Sequence, residues 1–348
     1  MLSTSKKNRS FSEYIGAIHI HSTFSDGSGK VPQILEAADG ANLDFLVLTD
    51  HNTLKAKEEG WEGWHGGQLL VVGEEVSNRG GDCLAIGTSR SVDAEQPLGA
   101  IIEDIVSQRG LAFLAHPHGV YRPLFRKRDH SWGDWAVSSY TGLELWSYMF
   151  DWASGFRYFR GYRDYRDPGA QIKGPFDQTL RKWDQLCKTT RVVCIGGVDA
   201  HARRIPLLPF VVFPYQDLFQ TVRTHVLTRE PFNRSFSNDH SLLIQAMGEG
   251  HCFISYDLIQ DATGAWFGSA DGRLVMGDEA EFSAAVELSA EVPAEAEIRI
   301  LRDGHQVELH AGKQIGFRAN SPGVYRMEAK IHDKPWIFTN PIYLRSRA

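Results

Sequence analysis

Phe45-Leu46-Val47-Leu48-Thr49-Asp50-His51 decides the fold: four apolar residues and a threonine run unbroken into two groups able to bind a proton or a metal. A short apolar run of this kind predicts a strand buried on both faces, as in a parallel sheet covered by helices. The same pattern recurs on either side. Candidate strands fall at residues 17–21, 44–49, 69–73, 84–87, 111–115, 142–146 and 191–195. Amphipathic segments between and after them predict helices over 31–42, 98–108 (with Gly110 as C-cap), 176–188, 216–227 and 241–248. Alternation from about residue 16 to 255 places the chain in the α/β class, and seven strands suit a barrel better than a sandwich.

After about residue 256 the period changes to two. Glu297-Ile298-Arg299-Ile300-Leu301 and Gln306-Val307-Glu308-Leu309 flank Asp303-Gly304, a hairpin signal, and further strands are expected over 324–331 and 336–344. The expected division is therefore a domain over residues 1–255 and a small antiparallel β-sandwich over 256–348.

Composition narrows the function. Of 348 residues, 42% are hydrophobic and 23% charged, which is ordinary for a globular protein. No apolar run approaches the roughly 20 residues of a spanning helix, and the start lacks the apolar stretch of a secretory signal. A soluble, cytoplasmic protein without a membrane partner is expected. Cys83, Cys187, Cys194 and Cys252 show no paired spacing and read as buried free thiols. A net charge of −6 disfavours extensive binding of duplex nucleic acid, leaving a small or single-stranded anionic substrate open. The chain has no G-x-S-x-G, no P-loop and no G-x-G-x-x-G, so serine-nucleophile and nucleoside-triphosphate mechanisms drop out.

The chemistry lies at the strand ends. His19 and His21 stand two apart on the 17–21 strand, where alternation points both to one face. Alone this means little, because with 14 histidines one such pair has about even odds of arising by composition. The other strands change the balance. They end in Asp50-His51, in Glu74-Glu75, in His116, and in Asp199 with His201. The carboxyl ends of parallel strands converge on one face, so five strands deliver imidazoles and carboxylates to one place. Without a cation such a set would repel or stay unsatisfied; a mixed N and O set suits Zn²⁺, Mn²⁺ or Fe²⁺. The donors exceed the needs of one ion, so two or three are implied.

In order and spacing, His19-Ile20-His21-Ser22-Thr23-Phe24-Ser25-Asp26-Gly27, Thr49-Asp50-His51-Asn52-Thr53, Gly73-Glu74-Glu75-Val76-Ser77, Ala115-His116-Pro117 and Val198-Asp199-Ala200-His201 resemble the motifs of the polymerase and histidinol-phosphatase (PHP) superfamily. Within it, residues 61–87, Gly142-Leu143-Glu144-Leu145-Trp146, Gly323-Val324-Tyr325-Arg326, Trp336 and Asn340-Pro341-Ile342-Tyr343 resemble the carbaryl-hydrolase-type metallohydrolases. The resemblance implies a distorted seven-stranded β/α barrel with a trinuclear site at its C-terminal face. It implies that His19, His21, Glu75 and Asp199 hold one ion, that Glu75 bridges to a second held also by His116, and that Asp26, His51 and His201 hold a third. A bridging water or hydroxide would be the nucleophile. At one position the chain departs from the pattern, carrying Asp82 where a histidine is usual; a carboxylate is a harder donor and alters the charge of the second ion's site.

Neighbouring residues receive lesser roles. Glu74 and Asp50 should point away from the centre and act structurally or on ligands, and Glu144 stands behind the site. His118 is a candidate proton donor, with a solvated loop histidine the plainer reading. Arg203 and Arg204 are candidate anion clamps or a surface pair. Residues 157–166 interleave arginines with aromatics and read as a lid, or less readily as a nucleotide-stacking surface. The leading expectation is hydrolysis of a small phosphate mono- or diester. Carbamate or carboxylic ester hydrolysis at the same site is the alternative, followed by a non-catalytic metal-binding module and by single-strand exonuclease action through Arg160 and Arg163.

Overall fold

The apolar runs fold as strands. In the computed structural model, which describes residues 11–121, 128–155, 167–204 and 211–347, these are β1 (Ser12–Ile20), β2 (Phe45–His51), β3 (Gln68–Asn78), β4 (Gly81–Ile86), β5 (Leu111–Leu114), β6 (Gly142–Ser147) and β7 (Val193–Gly197). β1 pairs with β2, β2 with β3, β5 with β6 and β6 with β7, all in parallel. β4 runs against both of its neighbours, β3 and β5, where the sequence predicts a parallel arrangement throughout. The reason is local: only Arg79 and Gly80 separate β3 from β4, enough for a hairpin and far too few for a parallel crossover. Beyond β7 the backbone closes the circle. Val198 N and Ala200 N donate to the carbonyls of Ile18 and His19 at 2.9 and 3.0 Å, and His21 N donates to Ala200 O at 2.9 Å.

The strands alternate between two apolar layers. Ile18, Phe45, Val47, Leu69, Val71 and Val193 meet in one buried cluster inside the closed circle of strands. The opposite faces, including Leu46, Leu48, Leu70 and Val72, pack with residues of α1 (Val31–Gly40), α2 (Leu98–Ser107) and α4 (Asp177–Cys187); α3 (Tyr148–Gly155) follows β6. α5 (Phe236–Glu249) contributes Leu243, Ala246 and Met247 to the inner cluster. Continuing the inward parity along β2 and β3 leads from Val47 to His51 and from Val71 to Glu75. The interior is thus apolar along the strands and ionisable at their ends.

The helix expected over 216–227 does not form. Only Tyr215–Leu218 is helical, and β8 (Val222–Thr228) is a strand, antiparallel to β1 on one side and to β9 (Cys252–Tyr256) on the other. Val222, Thr224, Val226 and Thr228 are β-branched at every second position, and flanking strands on both edges complete the preference.

After residue 256 come β10 (Trp266–Ser269), β11 (Val286–Arg302), β12 (His305–Ala319), β13 (Gly323–Ile331), β14 (Lys334–Thr339) and β15 (Ile342–Arg345). Asp303 and Gly304, both at positive φ, make the β11–β12 turn. These strands enclose a second apolar cluster that includes Phe267, Ile300, Met327 and Trp336. They are joined to the rest by hydrogen bonds, since β14 pairs with β9 from Phe253 to Ser255. Asn340 adds a buried clasp: its Oδ1 accepts from Cys194 N at 2.7 Å, and its Nδ2 donates to the carbonyls of Cys194 and Cys252 at 2.9 Å each. The buried Arg326 on β13 grips Asp184 of α4 at 2.9 and 3.0 Å and pairs with Glu328. All four cysteines are buried and free. Among the described residues no helix is long and apolar enough to cross a membrane.

His225 on β8 is a buried ionic joint, with Nδ1 2.7 Å from Glu13 Oε1 on β1 and Nε2 3.4 Å from Asp257 Oδ2. Burial opposes its charge, but the hydrogen-bonded Asp257 and Glu13 outweigh it and push its pKa up to about 9. A folded pKa above the unfolded value contributes stability that is complete below about pH 6.5 and is lost as pH rises through about 9. His225→Gln should therefore cost about 2–4 kcal/mol at pH 6, and the difference in Tm from the parent should shrink markedly by about pH 10 in thermal denaturation.

Candidate metal centre

Glu75, at the inner face of β3, is the meeting point. Its Oε2 lies 3.2 Å from His19 Nε2, 3.3 Å from His21 Nε2 and 3.1 Å from His51 Nδ1, and its Oε1 lies 3.1 Å from His116 Nε2. Asp199 Oδ1 lies 3.5 Å from His19 Nε2 and 3.4 Å from both His21 Nε2 and His201 Nδ1. Asp26 Oδ1 is 2.9 Å from His201 Nε2 and 3.5 Å from His51 Nε2. Asp82 Oδ2 is 4.0 Å from His116 Nε2. Because β4 is antiparallel, its first residues reach the face where the parallel strands end, and this brings in Asp82. Eight of the nine residues singled out as ligands in the sequence fall in groups with donor atoms within 4.8 Å of one another: His21, Asp26, His51 and His201; His19, His21 and Glu75; Glu75, Asp82 and His116; and His19 and His116 with Glu144. The ninth, Asp199, stands beside them through its contacts with His19, His21 and His201.

The contacts have the character of donors around an ion. His19 Nε2, both nitrogens of His21 and His201 Nε2 are buried without a hydrogen-bond partner, although carboxylate oxygens stand close to them. An unsatisfied buried polar atom costs about 1–3 kcal/mol. Two donors about 2.0–2.2 Å from a common ion are about 3.0–3.5 Å apart at octahedral or tetrahedral angles. The separations around Glu75 and Asp199, 3.1–3.5 Å, fall in that range, and the mixed imidazole and carboxylate set fits a divalent transition ion.

Electrostatics point the same way. Burial disfavours charge on all of these groups. Nevertheless the surrounding imidazoles, His19 foremost, hold Glu75 well below the usual carboxylate range, and His19 and His201 do the same for Asp199. Asp26 is lowered to about 2 against its burial, chiefly by His201. Glu144, Glu75 and Asp199 overcome burial at His19 and hold it well above the ordinary imidazole value; His116 and His201 are raised by Glu75 and by Asp199 and Asp26. At His21 burial wins, and its pKa falls to about 4. The carboxylates thus draw positive charge into the pocket.

The backbone is bent at the donors. His19, His116 and Asp199 have φ of 68°, 30° and 50°, a left-handed conformation seldom adopted by such residues and concentrated at functional sites. The regular alternation expected across His19 and His21 is broken: pairing of β1 with β2 shifts between Ile18 and Ile20, and β1 ends before His21. The bulge re-aims the imidazoles, whose centroids are 5.2 Å apart.

Supporting groups hold the donors. Asp50 accepts from Ser22 N, Ser22 Oγ and Ser25 Oγ at 2.7, 2.6 and 2.6 Å, shaping the turn that carries Asp26. Glu74 faces the other way and accepts from Val92 N at 2.7 Å. Glu144 braces two donors at once, bonding His19 Nδ1 at 2.9 Å and the backbone N of His116 at 2.7 Å. A Cβ on Gly197 would lie 1.9 Å from Glu144 Oε1, so glycine leaves the room that this brace occupies. Two partners carry no strand-end signal in the sequence: Ser77 Oγ, 2.8 Å from His51 Nδ1, and His130 Nδ1, 3.1 Å from Asp82 Oδ2.

His118 stands apart from the ligand groups. Its Nδ1 is 3.0 Å from Thr179 Oγ1, its imidazole stacks on Trp135 at 5.2 Å, and burial and Lys182 lower its pKa. Arg203, half exposed, reaches Asp26 Oδ2 at 3.3 Å. The backbone of Arg204 pairs with Val211. The arginine-aromatic segment 157–166, with Arg160 and Arg163, lies outside the described residues.

No family model matches the chain, and no curated protein does. Among solved structures it is similar to a two-domain protein from Bacteroides vulgatus ATCC 8482 containing a predicted PHP-like metal-dependent phosphoesterase, at 14% identity and a TM-score of 0.42 over 95% of this chain and 96% of that one. It is also similar to a protein from Bifidobacterium adolescentis ATCC 15703 proposed to be a metal-dependent phosphoesterase, at 15% identity and a TM-score of 0.34 over 55% of this chain and 89% of that one.

Proposed function

We propose that the protein is a metal-dependent hydrolase of the PHP type, its closed circle of strands being the PHP barrel, and that it cleaves a small phosphate mono- or diester. One observation carries the reading: three imidazoles, His19, His21 and His201, turn buried nitrogens without hydrogen-bond partners toward three carboxylates, Glu75, Asp199 and Asp26, at the separations of donors around a common ion. His19, His21, Glu75 and Asp199 would hold one ion, Glu75, Asp82 and His116 a second, and Asp26, His51 and His201 a third, with Mn²⁺, Zn²⁺ or Fe²⁺ as the fitting ions. Bound there, such ions supply positive charge to the substrate and lower the pKa of water toward about 7.

The chain's own residues orient and select. Glu144 fixes His19 through Nδ1, leaving Nε2 to face Glu75 and Asp199. Three dications outweigh the carboxylates of Asp26, Glu75, Asp82 and Asp199, so the loaded centre is net positive and suits a phosphate anion better than a neutral carbamate. At its edge the exposed Arg203 guanidinium beside Asp26 can pair with a phosphate oxygen.

Metal-stripped protein should be inert toward nitrophenyl phosphate and bis-nitrophenyl phosphate and regain turnover with Mn²⁺, Zn²⁺ or Fe²⁺, with nitrophenyl ester and naphthyl carbamate left uncut; metal-restored cleavage of the ester or carbamate instead would overturn the phosphate assignment. Mn²⁺ at about a hundred times its Kd should stabilise the parent by about 2.7 kcal/mol, read as a rise in Tm. Glu75→Gln should lose most of that rise together with turnover. Arg203→Ala should raise KM for the phosphate about tenfold while leaving the bound metal content unchanged, as measured by elemental analysis.

A further inference from the structure

Asp82 is the second residue of β4, the one strand of the circle that runs against its neighbours, and a separate length of backbone folds over it. His130 N donates to Gly119 O at 3.0 Å, Trp132 N to Pro117 O at 2.9 Å and Gly133 N to Gly80 O at 2.7 Å. The returning segment is thereby tied both to the residues after His116 and to the β3–β4 turn. Trp132 lies directly on Gly81, where a Cβ would come within 2.6 Å of its indole and where φ is 139°. Both the close approach and the backbone conformation demand glycine there.

This clamp sets His130 Nδ1 3.1 Å from Asp82 Oδ2, the same oxygen that faces His116 Nε2 at 4.0 Å. Phe150 backs the arrangement, stacked on His116 at 4.0 Å and edge-on to His130 at 5.6 Å. The donors within ligand distance of one another are Glu75, Asp82 and His116; His130 is not among them. His130 therefore touches the carboxylate without reaching the other two donors.

We propose that His130 is a positioning residue, donating from Nδ1 to Asp82 Oδ2 and fixing that carboxylate as the third donor, beside Glu75 and His116, for a divalent ion. The inference rests on the metal-binding reading given above. A carboxylate close to the like-charged Glu75 has reason to swing away from it; an N–H bond to one oxygen holds its direction and offsets part of the charge. Hydrogen bonds behind a ligand of this kind commonly change metal affinity by about 10–100-fold.

The test is a titration of the metal-stripped full-length chain with Mn²⁺ by calorimetry, and with Co²⁺ by visible absorption, resolving each bound equivalent. His130→Ala should weaken one equivalent by about 10–100-fold and leave the others within about twofold, with the Tm of the metal-free protein unchanged. His130→Asn, whose amide can still donate, should recover part of the loss. In an Asp82→His background, where the carboxylate that His130 grips is gone, adding His130→Ala should move no equivalent by more than about twofold, because coupled residues are not additive. Unchanged affinity at every equivalent in His130→Ala overturns the proposal, as does an equal loss at all of them with a fall in metal-free Tm. A parent protein that binds neither Mn²⁺ nor Co²⁺ overturns the metal reading itself, and this inference with it.

Discussion

A single buried carboxylate, Glu75, is shared by four imidazoles from three places in the chain: His19 and His21 near the end of β1, His51 at the end of β2 and His116 after β5. Each must arrive within hydrogen-bond length of one of two oxygens, which constrains every register around the circle of strands. A slip of one residue in β3 would turn Glu75 outward and bring Glu74 inward, exchanging the shared carboxylate for one now held by Ser91 and Val92. The electrostatic demand is equally strict. So many donors tolerate burial only beside positive charge, and cations and protons compete for the same places. A metal bound there would for that reason displace protons from the imidazoles.

The antiparallel β4 extends this arrangement. In a wholly parallel circle a strand start would lie at the far end from the donors. Reversing one strand through the hairpin at Arg79 and Gly80 brings a strand start to the donor face, and with it Asp82. The surrounding apolar layers keep the geometry stiff. Val71 and Val72 of β3 belong to different clusters, one inside the circle and one beneath the helices, so neither face of the strand is free to shift.

Much of this is legible in the sequence because strand ends are legible. Unbroken apolar runs that stop at His51, Glu75 and His116 announce both a strand and its chemical terminus, and the strand-end donors lie together in the structure; Asp26 and Asp82, which stand beside them, carry no such signal and are marked only by the resemblance. What escapes is set by contacts distant in sequence or by short local geometry. The direction of β4 depends on a two-residue connection; the bulge at His19 leaves no trace in hydrophobic period. The strand from Val222 to Thr228 is formed between two neighbours, Ser12–Ile20 from far earlier in the chain and Cys252–Tyr256 from beyond the next helix, against a weak helical pattern. Ser77 and His130 make their contacts across folded-back backbone, and no spacing rule marks them. Glu144 is visible as a residue behind the site, whereas its simultaneous hold on His19 and on the backbone of His116 is a product of the closed circle.

The pairing of β14 with β9 has a bearing on solubility. Cys252-Phe253-Ile254-Ser255-Tyr256 is a wholly buried strand whose other edge is taken by β8. Stripped of β14, it would present a row of free amides and carbonyls on a short apolar ribbon, a template for strand addition by any chain with a similar edge. The last part of the polypeptide thus serves as a guard against self-adhesion. A shortened chain ending near residue 256 would keep every donor around Glu75 and still acquire a sticky margin, linking the freedom from aggregation of the donor-bearing strands to strands that carry none of those donors.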